Sequence, residues 1–207
     1  MLIFSAQNLA YLAVPKTGTT AVEMALRRKA DIVFAKRRKH LPAQKFHNRI
    51  APFLAAEFDL RPERIAVMRE PEEQIRSWFR YRKNAAARGS DKETKGLSFE
   101  QFVRDVISDD PPPHARIGSQ FNFLTGPTGE VLVHTLFAYE VQPLFRAFLE
   151  ERFEETLSFG QKNVSPHVDA PLSDDLRARL RAARAKDFAL YDRLMDAGGV
   201  LETPIDG

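Results

Sequence analysis

Pro15-Lys16-Thr17-Gly18-Thr19-Thr20 brings together the side chains and the backbone freedom needed to hold an anion. Gly18 admits a left-handed backbone that most residues avoid, so successive N–H groups can turn inward towards one ligand. Lys16 adds a full positive charge, and Thr17, Thr19 and Thr20 add hydroxyl donors. A helix starting just beyond would aim its free N–H groups and partial positive charge at the same point. The chemistry favoured is the holding of a phosphate-type oxyanion, with an ordinary threonine-capped turn as the plain alternative. The spacing is not that of a normal ATP-binding P-loop, which weakens a kinase reading. G-x-x-x-x-G-K-[ST] needs glycine where Ala10 and Pro15 stand, whereas the glycine here follows the lysine by two residues.

A second cluster is Arg69-Glu70-Pro71, with Ser77 eight residues after the arginine. An arginine at a strand's end offers a planar fork to phosphate oxygens, and a serine early in the next helix can donate from the other side. Five histidines compete for general-base chemistry: His40, His47, His114, His134 and His167.

The elements that must position these groups are short. Leu9–Val14 reads as a strand buried on both faces, followed by a helix from Val22 to about Lys29. Asp31–Ala35 and Arg64–Met68 are further strands, separated by a largely helical Leu41–Phe58 that Pro52 interrupts or starts. Pro71 opens a helix running towards Ala87, and Ser98 with Gln101 marks a capping box for a helix to about Ser108. A Gly126–Gly129 turn leads into a fourth strand, Glu130–Phe137, and helices follow at Val141–Phe153 and Ser173–Met195, the latter capped by Ser173. Strands alternating with helices predict an α/β fold: a central, mostly parallel sheet flanked by helices. Ligands in such sheets bind beyond the C-terminal strand ends, where both clusters lie.

Composition narrows the classes. The 207 residues are 43% hydrophobic with 16 Phe, which argues against disorder and for one domain over 1–207. Without Cys there is no disulfide framework, thiolate nucleophile or Cys-bound zinc. Gln7 and Asn8 break the first apolar run and no stretch is long enough for a membrane span, so a cytoplasmic, soluble protein is expected. The net charge of +3 hides a local excess. Arg27–Arg49 carries nine basic residues against Asp31, a charge of +8 that leaves −5 for the rest. Such a cluster suits a local anionic partner or a solvated face.

Val14-Pro15-Lys16-Thr17-Gly18-Thr19-Thr20 resembles the 5′-phosphosulfate loop of sulfotransferases that use PAPS (3′-phosphoadenosine 5′-phosphosulfate). Arg69-Glu70-Pro71…Ser77 is similar to the same family's 3′-phosphate element, with Glu70 in place of the usual Asp and Gln74 where many members have Arg. The resemblance implies a P-loop-like, three-layer fold, PAPS as sulfuryl donor, PAP (3′-phosphoadenosine 5′-phosphate) as product, and no metal. It implies that Lys16, Thr17, Gly18, Thr19 and Thr20 hold the 5′ end, that Lys16 stabilises the leaving phosphate, and that Arg69 and Ser77 hold the 3′-phosphate. Lys39-His40-Leu41-Pro42 is similar to the context of the family's catalytic base, which makes His40 the first choice and His47 the second; His134, in mid-strand, reads as structural. Ser119–Leu124, Gly126–Glu140 and Asp187–Asp192 resemble later segments of bacterial and carbohydrate sulfotransferases. The Lys-Gly motif of cytosolic members is absent, and Lys162 in Lys162-Asn163-Val164-Ser165 is the candidate substitute. The implied acceptor is a hydroxyl or amine, a carbohydrate being one candidate, with no nucleic-acid partner. Two other readings stay open: a P-loop small-molecule kinase, and a non-enzymatic module that binds polyanions through Lys36–Lys45.

Overall fold

The computed structural model describes residues 1–83, 89–94, 96–160 and 170–205. Leu2–Phe4 (β1) and Leu9–Leu12 (β2) form an antiparallel hairpin, with Leu2 opposite Tyr11. Gln7 and Asn8, which break the first apolar run, belong to its turn; Asn8 takes φ 47° and donates its N–H to the Ser5 carbonyl at 3.0 Å. The chain continues through α1 (Thr19–Leu26), β3 (Ile32–Val33), α2 (Ala43–Lys45), α3 (Ala51–Phe58) and β4 (Glu63–Met68). Then come α4 (Pro71–Lys83), α5 (Phe99–Val106), α6 (Gln120–Leu124), β5 (Thr135–Ala138) and α7 (Gln142–Phe153). The last elements are α8 (Asp174–Ala183), α9 (Ala185–Asp196) and β6 (Val200–Glu202).

The six strands form one sheet in the order β3-β1-β2-β4-β5-β6. Only β2–β4 and β4–β5 pair in parallel; β1–β2, β1–β3 and β5–β6 are antiparallel. The sheet is therefore mixed rather than mostly parallel. The unforeseen strands, β1 and β6, are three residues each, too short for a periodic signal. The fourth strand also starts later than Glu130. Val131 bridges back to Thr125 and the Leu132 N–H donates to the Leu124 carbonyl at 2.9 Å, so 131–133 are buried without joining the sheet.

Strict alternation along the central strands feeds two cores. Leu9, Tyr11, Ile65, Val67 and Phe137 face α1 and α7 through Val22, Leu26, Phe145 and Leu149. Ala10, Leu12, Ala66, Met68 and Leu136 face the other side, covered by Phe46, Leu54, Leu124, Leu190 and Leu194. A third cluster joins α4, α5 and α8 through Phe79, Phe102 and Leu176.

Helix ends follow local chemistry. The Ser98 hydroxyl accepts the Gln101 N–H at 3.1 Å, but the Gln101 amide turns to Asp105 at 2.8 Å, so only half of the expected capping box forms. Pro52 has no N–H to offer, and the helix passes through one π-turn, Phe46–Ile50, just before α3. The expected 173–195 helix breaks at Arg184; Ser173 occupies the N-cap without a side-chain capping bond, and its N–H donates to Glu100 at 2.9 Å. No helix among the described residues is long and apolar enough to cross a membrane.

Candidate anion-binding site

The loop after β2 and the turn after β4 sit side by side because these strands are parallel neighbours. Within the loop, Lys16 (φ 70°) and Gly18 (φ 73°) are both left-handed, on either side of Thr17. Among the described residues, the N–H groups of Lys16, Thr17, Gly18, Thr19 and Thr20 donate to no protein acceptor, and the first turn of α1 carries no acid. Left-handed turns with free amides at a helix N-terminus form an anion cradle. Thr17 plays a different part from the one expected. It is 2% exposed, and its hydroxyl proton goes to the Val14 carbonyl at 2.9 Å, closing the loop rather than facing a ligand. Thr19 is buried and Thr20 is exposed.

A Cβ at Gly18 would stand 3.2 Å from Tyr139 Cε2, and the Tyr139 ring lies 4.6 Å from the Arg69 guanidinium. Gly18→Ala therefore combines a left-handed penalty of about 1–2 kcal/mol with pressure on Arg69's support. A melting temperature lower by roughly 2–8 °C is expected. An unchanged melt would show that the loop does not need this glycine.

Arg69 enters from the neighbouring strand. Its Nη1 lies 3.5 Å from the Lys16 carbonyl, its Nη2 3.5 Å from Glu73, and its buried Nε has no hydrogen-bond partner. The buried Nε of Arg64 and of Arg80 are likewise without a partner among the described residues, so at Arg69 it is the position beside the loop that distinguishes the guanidinium. The Glu70 carboxylate accepts the Glu73 N–H at 2.6 Å and so caps α4; burial pushes its pKa up. Gln74 donates to the Pro15 carbonyl at 3.2 Å, tying α4 to the loop. Ser77, Trp78 and Tyr81 follow at helical spacing along that stripe. The Lys16 ammonium lies 4.1 Å from the Tyr81 ring centroid and 5.6 Å from that of Trp78. Burial, and then the charge of Arg69, lower the Lys16 pKa to about 8. Ser77 is partly exposed on this loop-facing stripe, and its hydroxyl makes no hydrogen bond among the described residues.

The histidines separate cleanly. His40 Nδ1 lies 2.7 Å from the Ala13 carbonyl, at the C-terminal end of β2. A carbonyl only accepts, so Nδ1 carries the proton and Nε2 keeps its lone pair. Burial, aided by Lys39, outweighs that hydrogen bond and holds its pKa below the ordinary value. His47 accepts from Arg64 Nη1 at 2.9 Å, and His134 Nδ1 accepts the Arg64 N–H at 2.8 Å. Arg64 is the second residue of β4, so both lie at the opposite end of the sheet from the loop. Both histidines are thus partners of Arg64 away from the loop, and His134 stands just before β5 rather than in mid-strand. His114 is engaged with Asp105 at 2.6 Å. Lys162 and His167 lie outside the described residues.

The basic stretch is partly spent on acids. Arg27 and Lys39 pair with Glu23, and Lys29 pairs with Glu155. Lys36, Arg38, Lys45 and Arg49 are exposed and form no ion pair among the described residues. Motif spacing gave no notice of Gln120, Tyr139 and Glu140 as parts of the site. All three fall in segments covered by the resemblance, but nothing in the spacing points from them to Arg69.

The chain matches no protein-family model, no curated protein and no solved structure. What the site does must be read from its own chemistry.

Proposed function

We propose that the protein transfers a sulfuryl group from PAPS to a hydroxyl or amine acceptor. The supporting observation is a pair of donor sets within reach of one another. The unpaired amides of Lys16–Thr20 lie beside Arg69, whose Nη1 is 3.5 Å from the Lys16 carbonyl and whose Nε is buried without a partner. A ligand with two anionic groups, a 5′-phosphosulfate and a 3′-phosphate, would engage both sets. The P-loop-like, three-layer reading belongs to the same proposal, since the parallel trio β2-β4-β5 aims both donor sets at one end of the sheet.

PAPS supplies the sulfuryl group. The loop amides and Lys16 hold its 5′ end, with Thr19 and Thr20 at the start of α1, and Arg69 and Ser77 hold the 3′-phosphate. His40 Nε2 takes the acceptor's proton as the acceptor oxygen or nitrogen bonds to sulfur and the bridging S–O bond breaks. The Lys16 ammonium offsets the charge left on the departing phosphate.

Thermal stabilisation by PAP, and none by ATP with magnesium, is the expected result. The reverse preference would favour the kinase reading. Arg69→Ala should weaken PAP binding roughly 10–100-fold, the worth of a charge-assisted hydrogen-bond pair. Adenosine 5′-phosphosulfate, which lacks the 3′-phosphate, should lose far less. Equal losses in a calorimetric titration would remove Arg69 from the 3′ site.

A further inference from the structure

Gln120 is 1% exposed and spends its whole amide on one residue. Its Oε1 accepts the Arg69 N–H at 3.0 Å, and its Nε2 donates to the Arg69 carbonyl at 2.7 Å. Arg69 is the first residue beyond β4, where the strand ladder stops, and the glutamine takes the place of the missing neighbour. Gln120 is itself held on both sides. The Ser119 hydroxyl accepts the Asn122 N–H at 3.1 Å to cap α6, and buried Asp187 on α9 accepts the Phe121 N–H at 3.0 Å. The next residue of the turn is secured as well: Glu140 accepts the Glu70 N–H at 3.0 Å and the Tyr191 hydroxyl at 2.8 Å.

We infer that Gln120 is the positioning residue of the anion site, clamping the Arg69 backbone so that the guanidinium stands beside the Lys16 loop before a ligand arrives. The inference rests on the reading of Arg69 as a phosphate contact. With both backbone polar groups of Arg69 held, the turn has one register, and the side chain leaves it towards Tyr139, 4.6 Å away, and the Lys16 carbonyl. A donor fixed in advance costs little to order on binding, whereas a loose arginine must be ordered by the ligand itself. Gln120 touches the Arg69 main chain, so its effect on binding passes through Arg69.

The test uses Gln120→Leu, which removes both bonds at similar volume, and Gln120→Glu, which keeps the acceptor and loses the donor. In the ligand-free protein, the Arg69 side-chain protons next to the Tyr139 ring should show an upfield ring-current shift by NMR. That shift should vanish in Gln120→Leu and shrink in Gln120→Glu. Wild-type Arg69 shifts in a folded Gln120→Leu protein would overturn the inference. Calorimetry with PAP gives the second readout. Gln120→Leu should weaken binding roughly tenfold in the wild-type background and add nothing to Arg69→Ala, since coupled residues are not additive. The same loss in both backgrounds would overturn the inference in favour of a general stability role. If the wild-type protein does not bind PAP, the proposed function fails and the NMR comparison alone decides the role of Gln120. If Gln120→Leu does not fold, Gln120→Glu carries both measurements.

Discussion

His40→Ala is expected to lower turnover by roughly 10²–10⁴-fold, the usual worth of a positioned general base, while PAP still binds. Its geometry carries this expectation. The Ala13 carbonyl at 2.7 Å holds the Nδ1 proton, so the lone pair at Nε2 is available in the neutral ring. The pKa sits below the ordinary 6.5, chiefly through burial, which keeps the ring neutral at physiological pH. On the acid side, activity should therefore fall as pH drops through a value below 6.5, where Nε2 becomes protonated. That acid limb should disappear in the alanine variant. PAP release measured with phenol and monosaccharide acceptors across pH checks both points. Turnover equal to wild type would take His40 out of the mechanism.

Lys16→Met is the second large effect, with turnover lower by roughly 10²–10³-fold, the scale seen when a preorganised transition-state charge donor is removed. Its pH signature is specific. The native lysine has its pKa lowered from 10.5 to about 8, chiefly by burial and then by the charge of Arg69. Between those two values the unfolded chain binds more protons than the folded one, so the stability of the ligand-free protein rises with pH across that window. PAP affinity should move the other way, falling as pH rises through about 8, because the anion needs the ammonium. Opposite slopes for melting temperature and PAP affinity, both flattened in Lys16→Met, are the expected pattern. Equal pH profiles in wild type and variant would show that Lys16 does not contact the anion.

Chemistry confined to a few consecutive residues was legible before the fold. The left-handed Gly18 and the Ser98 cap each depend on neighbours within about four positions, so sequence order already implies the contact, although the helix expected from Val22 to Lys29 in fact runs from Thr19 to Leu26. The central strands were legible too, since Leu9–Leu12 and the Ile65–Met68 part of β4 are buried on both faces and read as unbroken apolar runs. The fold class followed from their alternation with helices. Its mixed pairing did not, because three-residue strands carry no period and gain their place only by pairing.

The +8 stretch and the six-residue loop are facts of the sequence alone, as is the exclusion of thiolate chemistry. Which side chains work together was decided by the tertiary structure. Thr17 looked like a ligand donor until the backbone turn brought the Val14 carbonyl to its hydroxyl. His40 and His47 are seven residues apart, yet the chain between them runs from one end of the sheet towards the other, so one reaches Ala13 and the other Arg64. Gln120 meets Arg69 across 51 positions of sequence. Local torsions and hydrogen bonds act over a few residues and are written in order. Contacts over tens of residues depend on which strands pair and which helix covers them, a balance of burial over the whole chain that no short motif contains.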